Sequence, residues 1–342
     1  MINLISDTVT KPTPAMLAAM MGAAVGDDVF SADPTVNELE AYVAALFGME
    51  AALFCPSGTM TNQIAIKCHT QPLDELICDQ TSHVYQYETG GFAFHSGVSI
   101  NLLEGVNGKI TASQVLAAIK PDFDWLPVSR LVVLENTCNK GGGSIYRLEE
   151  VLLIRKLCTE KGLALHLDGA RLFNALVETG ESPADWGQVF DTISICLSKG
   201  LGAPVGSLLV GPAELIKRAR RLRKVMGGGM RQAGYLAAAG LYALHHHVDR
   251  LVEDNARARS IGALLQELPY VAAVRPVQSN IVIFDLAGDL SAANFLAALT
   301  ALGIYATAFG PQTVRFTFHL EITPTMVEQL ASELVKLKFD RH

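Results

Sequence analysis

No run of eighteen apolar residues occurs in this 342-residue chain, so no membrane-spanning helix is expected. Paired cysteines are lacking as well. Six stand alone, at Cys55, Cys68, Cys78, Cys138, Cys158 and Cys196, and none has the spacing of a zinc motif. Reduced, mostly buried thiols are the expectation, and no catalytic metal. The run His245–His247 has no acidic or cysteine partner nearby in sequence, and reads as a polar helix end. Aromatic residues are only 7% and charged residues 18%, with 27 cations against 34 anions and a formal net charge of −7. That balance argues against a bare nucleic-acid binder. The first residues, Met1 to Lys11, contain Asp7 and several hydroxyls and do not resemble a secretory leader. A soluble, cytoplasmic protein is expected. What the chain does have is apolar residues: half are hydrophobic, and the mean hydropathy is +0.28. Disorder is excluded, and the excess suggests a buried subunit interface.

Short apolar runs alternate with helical patterns. Strands are predicted at Ala52–Phe54, Glu75–Cys78, Leu131–Glu135, Leu163–Asp168, Thr192–Leu197 and Ser207–Val210. Helices are predicted between them, for example Pro34–Phe47, Thr59–His69, Leu148–Lys161 and Ala213–Lys224. Continuous apolar strands separated by helices predict an α/β fold with a largely parallel sheet covered on both faces. One long helical pattern runs from Gln232 to about Leu268. Strands at Ser279–Leu286 and Thr313–Phe318 and helices at Ala292–Leu302 and Thr325–Lys338 follow. The expected organisation is an arm over 1–15, a large α/β domain over 16–247 and a small α+β domain over 248–342.

Several residues could carry chemistry. Lys199, in Ser198-Lys199-Gly200-Leu201-Gly202, follows a buried strand. Desolvating a lysine favours its neutral amine and a Schiff base with a carbonyl, although a lysine at a loop start equally suits water. Asp168, in Leu167-Asp168-Gly169-Ala170-Arg171, falls at a strand's carboxyl end, where open α/β sheets bind ligands. A carboxylate there could pair with a pyridinium nitrogen, or could cap the next helix. Cys55-Pro56-Ser57-Gly58-Thr59-Met60-Thr61-Asn62 turns from strand to helix. Its free N–H groups and the hydroxyls of Ser57, Thr59 and Thr61 could hold a phosphate. His83 lies just past a strand, where an imidazole can stack on a ring or move a proton. Six of the eight residues from Lys217 to Lys224 are cationic, and Gly227-Gly228-Gly229-Met230-Arg231 follows. Most of these cations should form a solvated helix face, with Lys224 and Arg231 flanking a flexible run that could meet a phosphate. Alternation puts Arg315, Thr317 and His319 on one strand face, where Arg315 could hold a carboxylate.

Together these stretches resemble the threonine aldolases of the fold-type I pyridoxal phosphate enzymes. The resemblance also rests on Ser6-Asp7-Thr8-Val9-Thr10, Val25-Gly26-Asp27-Asp28-Val29-Phe30, Asp33-Pro34-Thr35-Val36-Asn37, Leu134-Glu135-Asn136-Thr137 and Gly206-Ser207-Leu208-Leu209-Val210. The motifs run in family order over nearly the whole chain, and the low-specificity type matches best. The resemblance implies a large domain with a mainly parallel sheet, a small C-terminal α+β domain, and pyridoxal phosphate as cofactor. It implies that Lys199 holds the cofactor, Asp168 pairs with its ring nitrogen and His83 stacks on the ring. Gly58, Thr59 and Ser198 would bind its phosphate, helped by Lys224 and Arg231 of a neighbouring subunit. Ser6, Arg171 and Arg315 would hold a substrate carboxylate, with Arg171 also near the cofactor. Also implied are a homotetramer with shared active sites and cleavage of L-threonine, L-allo-threonine and related β-hydroxy-α-amino acids to glycine and an aldehyde. The chain departs from many members in having Cys138 where they have a histidine, and Trp125 or a neighbour in place of a loop histidine. A Trp125 in the site would favour hydrophobic aldehydes.

Two rival readings remain at this point. One is β-elimination or transamination on the same fold. The other is a non-catalytic protein that uses the basic helix 217–224 to bind an acidic partner.

Overall fold

The computed structural model describes residues 1–339. Strand β1 (Ile2–Asn3) is followed by β2 (Ala51–Cys55), β3 (Asp74–Asp79), β4 (Ser99–Leu103), β5 (Val128–Glu135), β6 (Ala164–Gly169), β7 (Thr192–Cys196) and β8 (Ser207–Gly211). Strands β2 to β8 form one seven-stranded sheet in the order β2-β8-β7-β6-β5-β3-β4. It is parallel except where β8 runs against β2 and β7. The six predicted strands fall within a residue or a few of these, whereas β4, a half-exposed edge strand, carries no clear apolar signal.

Local chemistry starts the helices. Asp33 precedes Pro34, and its Oδ1 accepts from the N–H groups of Thr35 and Val36 at 3.1 Å each. Its Oδ2 accepts from Gly26 and Gly234, so one N-cap also ties in two distant segments. Ser57 caps the helix Gly58–His69 through Met60 N–H at 3.2 Å. The central strands are buried on both faces, as their unbroken apolar runs require.

The C-terminal part holds β9 (Val271–Val274), β10 (Ile281–Leu286), β11 (Ile304–Tyr305), β12 (Thr307–Ala308) and β13 (Thr313–Thr317). Four of them form an antiparallel sheet, β12-β13-β10-β9, over a cluster that includes Phe284, Phe295 and Phe316. The first residues belong here too. Strand β1 pairs with β11, Thr317 N–H donates to Leu4 O, and Ile2 and Leu4 are buried in the same cluster.

One expectation about the elements needs correction. The pattern from Gln232 to Leu268 is two helices, Gly234–His246 and Leu251–Gln266. The chain breaks at His247, whose Nδ1 bonds to Leu201 O at 2.7 Å, a tertiary contact that no local periodicity reveals. The basic segment is mostly solvated, as expected, with Lys217, Arg218, Arg221 and Lys224 exposed, but two of its cations turn inward. Arg223 is buried, donating to Phe54 O and pairing with Asp28 at 2.6 Å, and Arg220 pairs with Glu40. Among the described residues every cysteine is unpaired, and no helix is long and apolar enough to cross a membrane.

Candidate active site

Strand direction puts the candidate residues along one sheet edge. Cys55 is level with Ser207, and Ser207 with Cys196. Asp168 is level with Ser194 and with Glu135. The turn that follows β2, the loop that follows β7 and the ends of β5 and β6 therefore share an edge. Lys199 lies in the loop after β7, and its backbone carbonyl accepts from Thr10 Oγ1 at 3.0 Å.

Asp168 is buried. Its Oδ1 accepts from Ala170 N–H at 3.1 Å and its Oδ2 from Asn62 at 2.9 Å. His83 opens a short helix. Its N–H donates to Glu135 Oε2 at 3.0 Å, and its Nδ1 lies 2.9 Å from Glu88 Oε1. Burial pulls the imidazole pKa down, but the bond to Glu88 and the charges of Asp168, Glu88 and Glu135 outweigh it, and the net shift is upward. Glu135 is pushed up to about 7, first by burial and then by the neighbouring Asp168 carboxylate. Glu88, Glu135 and Asn62 escaped the sequence reading. Glu135 and Asn62 lay inside quoted motifs without a role, and Glu88 gave no local signal. His83, Glu88 and Asp168 also present ligand atoms within 4.8 Å of one another, the spacing of a cation site, and Asn62 bridges the two carboxylates.

A second cluster adjoins the first. Arg171 donates from Nε and Nη2 to the two carboxylate oxygens of Asp7, at 2.7 and 2.8 Å. Two of its donors are thus committed, which narrows what Arg171 can offer a ligand. Burial tends to raise the Asp7 pKa, but the Arg171 guanidinium wins and holds this carboxyl well below the usual range, with Lys199 contributing. Arg315 donates from Nη1 to Asn139 and from Nη2 to Ile5 O, both at 2.8 Å. Its Nε is buried without a partner. Burial, and then Arg171, push Arg315 down to about 10. Ser6 is half-buried, and its hydroxyl accepts from Thr8 N–H.

At the turn after β2, a Cβ added to Gly58 would meet Cys196 Sγ at 2.7 Å, so only glycine allows this close packing. Thr59 is exposed and Ser198 half-buried. Thr61 faces inward, bonded to Gly58 O and Ser194, and so is not a phosphate ligand as expected. The glycine run packs on the same turn, where a Cβ on Gly228 would collide with Met60 Sδ. Arg231 is exposed and pairs with Asp27 at 2.8 Å, and Lys224 is exposed. Trp125 stacks on Phe123 with centroids 4.8 Å apart. It precedes Val128, which starts β5, whereas Glu135 ends it. Seven strand steps span roughly 23 Å, so Trp125 sits at the opposite sheet edge from Asp168. The expectation that it lines this site is wrong within one chain.

The fold defines a class, the fold-type I pyridoxal phosphate enzymes. Solved structures agree on the fold. Threonine aldolase from Leishmania major matches with a TM-score of 0.85 at 22% identity, covering 98% of each chain. Serine palmitoyltransferase from Sphingomonas wittichii matches at 0.79 and 18%, covering 98% of this chain and 86% of that one. The model of the beta-eliminating lyase family matches residues 3–289. The chain belongs to that family, and within it to the threonine aldolases. It is 42% identical to the low-specificity L-threonine aldolase of Escherichia coli K12, over 97% of this chain and 98% of that one. It is 39% identical to a probable low-specificity L-threonine aldolase of Arabidopsis thaliana, over 98% and 97%.

Proposed function

We propose that the protein is a pyridoxal phosphate-dependent lyase that cleaves L-threonine, L-allo-threonine and related β-hydroxy-α-amino acids to glycine and an aldehyde. The observation that carries this reading is the meeting, at one sheet edge, of the Asp168–His83 cluster with the Asp7–Arg171 and Arg315 cluster. The named relatives point the same way. The residues suit the cofactor. Asp168 is a buried carboxylate at a strand end, the Gly58 turn opens a helix at the same sheet edge, and Arg315 Nε is an uncommitted buried donor.

When bound, the cofactor draws electrons from the substrate's α-carbon. Lys199 would hold it through its amine, Asp168 at the ring nitrogen and His83 against the ring. Gly58, Thr59 and Ser198 would take its phosphate, joined by Lys224 and Arg231 of a neighbouring subunit. Ser6, Arg315 and the remaining donors of Arg171 would bind the substrate carboxylate. That grip would fix the orientation of the amino acid, and a fixed orientation lowers the barrier. His83 is our candidate for taking the β-hydroxyl proton, directly or through water, because Glu88 occupies Nδ1 and leaves Nε2 to act. We further propose a cytoplasmic homotetramer, an arm over 1–15 and a division between 247 and 248.

Incubating the holoenzyme with L-threonine tests the reading. Glycine and acetaldehyde are expected. Ammonia and a keto acid would replace it with β-elimination on the same fold, and a colourless protein inert with pyridoxal phosphate would end it.

A further inference from the structure

A chain of hydrogen bonds leads from the Asp168 carboxylate away from the site into the core. Asn62 Nδ2 donates to Asp168 Oδ2 at 2.9 Å and to Glu88 Oε1 at 2.8 Å. Asn62 Oδ1 lies 3.1 Å from His166 Nε2. The other ring nitrogen, Nδ1, lies 2.8 Å from Thr192 Oγ1 and 3.2 Å from the Thr192 backbone carbonyl oxygen, and Thr192 Oγ1 in turn lies 2.9 Å from His69 Nε2. Asn62, His166 and Thr192 are buried to within 1% of complete.

The chemistry of these groups assigns every proton. Both amide hydrogens of Asn62 go to carboxylates, so the atom facing His166 is its carbonyl oxygen. His166 Nε2 must therefore carry a hydrogen. Burial holds the His166 pKa down to about 3, so the ring is neutral; with the hydrogen on Nε2, its Nδ1 is an acceptor that takes the nearer Thr192 hydroxyl at 2.8 Å and makes no hydrogen bond to the Thr192 carbonyl at 3.2 Å. Thr192 has one hydroxyl proton, and it goes to that nitrogen. Thr192 must then accept from His69 Nε2–H. His69 is neutral too, its pKa held down to about 4 by burial. Turning the Asn62 amide over would set its oxygen against two carboxylates and its NH2 against an N–H. It would force both rings and the hydroxyl to change as well.

We infer that Asn62 is a positioning residue: one amide, locked by His166, Thr192 and His69, yokes the carboxylate that faces the cofactor nitrogen to the carboxylate that orients His83. The role rests on the function proposed above, whereas the proton assignment does not. Glu88 completes the yoke. Its Oε1 takes both Asn62 and His83, and its Oε2 takes Gln63 at 2.6 Å. The titratable groups facing Asp168 are His83, Glu88, Glu135 and His166.

The test uses the full chain with 15N-labelled histidine and pyridoxal phosphate as the probe. In the wild-type protein, long-range 1H–15N NMR should show His166 and His69 as Nε2–H tautomers. Finding Nδ1–H on His166 overturns the inference whether or not the protein is an aldolase. Asn62→Asp keeps the shape but puts a third carboxylate oxygen against Asp168 and Glu88. Its Kd for pyridoxal phosphate should rise at least tenfold, and the pH midpoint of the bound cofactor's visible absorbance should move by about a unit or more. Thr192→Val removes only the lock. It should leave the His166 ring in mixed tautomers and shift cofactor binding in the same direction by less. If Asn62→Asp fails to fold, Thr192→Val decides alone. A wild-type tautomer and wild-type Kd in that variant overturn the inference, as do an unchanged Kd and midpoint in a folded Asn62→Asp.

Discussion

Asp7 and Arg171, 164 residues apart, meet in the core through two parallel hydrogen bonds, 2.7 and 2.8 Å long, with both side chains nearly inaccessible. Asn280 Nδ2 adds a third contact to Asp7 at 3.2 Å. The amino-terminal segment is thereby tied both to the loop after β6 and to the C-terminal part. Cutting one partner from such a pair leaves a buried charge uncompensated, which costs about 3–5 kcal/mol. Asp7→Ala should lower unfolding stability by that order in urea titrations. The double variant Asp7→Ala, Arg171→Leu should recover part of the loss. No recovery would mean that the cost lies in packing rather than in the stranded guanidinium.

The same pair has an acid signature. The folded-state pKa of Asp7 is depressed, so its contribution to stability is fully present above the unfolded value, 3.8. It is lost as pH falls below that value toward the folded one. Wild-type stability should therefore drop more steeply below about pH 4 than that of the double variant. Equal slopes in denaturation curves between pH 4 and pH 2 would count against a charged Asp7.

Glu88 supports the His83 imidazolium, and the net shift on His83 is upward. If neutral His83 is the working form, activity should fall on the acid side at a pH above the ordinary histidine value. Glu88→Gln removes the negative partner, so His83 loses its proton more readily and the acid limb should move to lower pH. The pH profile of kcat for L-threonine cleavage reads this directly. A limb that stays in place would assign it to another group.

Glu135 gives the opposite kind of linkage. Its folded pKa, about 7, lies above the ordinary glutamate value of 4.5. Between those two values the native state binds more protons than the unfolded chain, so stability falls as pH rises through the window. Apo protein should lose more stability between pH 4.5 and pH 7 than the Glu135→Gln variant does. The comparison between the two proteins isolates Glu135 from every other titrating carboxylate.

How far the sequence could be read depended on whether a residue's role was local. Strand β7, its successor Lys199 and the cap at Ser57 follow from runs and spacings of a few residues. Ordered motifs also placed Asp168 and Arg315 as candidates. What escaped was whatever needs two distant segments at once. Asp7 occupies donors of Arg171 that were expected for a substrate. Glu88 matters because it joins His83, five residues away, to Asn62 and Gln63 of another helix. Thr61 looked like part of an anion cradle but points at Ser194. Trp125 came from the family resemblance alone, and the carboxyl-end rule that singles out Asp168 puts it at the far end of β5 within one chain.

Arg315 offers the sharpest test of substrate binding. Asn139 and the carbonyl of Ile5 fix its two terminal nitrogens, while Nε is buried without a partner. Buried donors are rarely left unmatched, and a planar guanidinium suits a carboxylate better than an ammonium does. Arg315→Lys keeps the charge but loses the fork. A hydrogen bond to a charged group contributes about 1.5–3 kcal/mol, so KM for L-threonine should rise roughly tenfold to a hundredfold. The effect on kcat should be smaller, and the Kd for pyridoxal phosphate should stay near wild type. Loss of cofactor binding together with KM would show that Arg315 holds the site together rather than gripping the amino acid. An unchanged KM would remove Arg315 from the carboxylate site altogether.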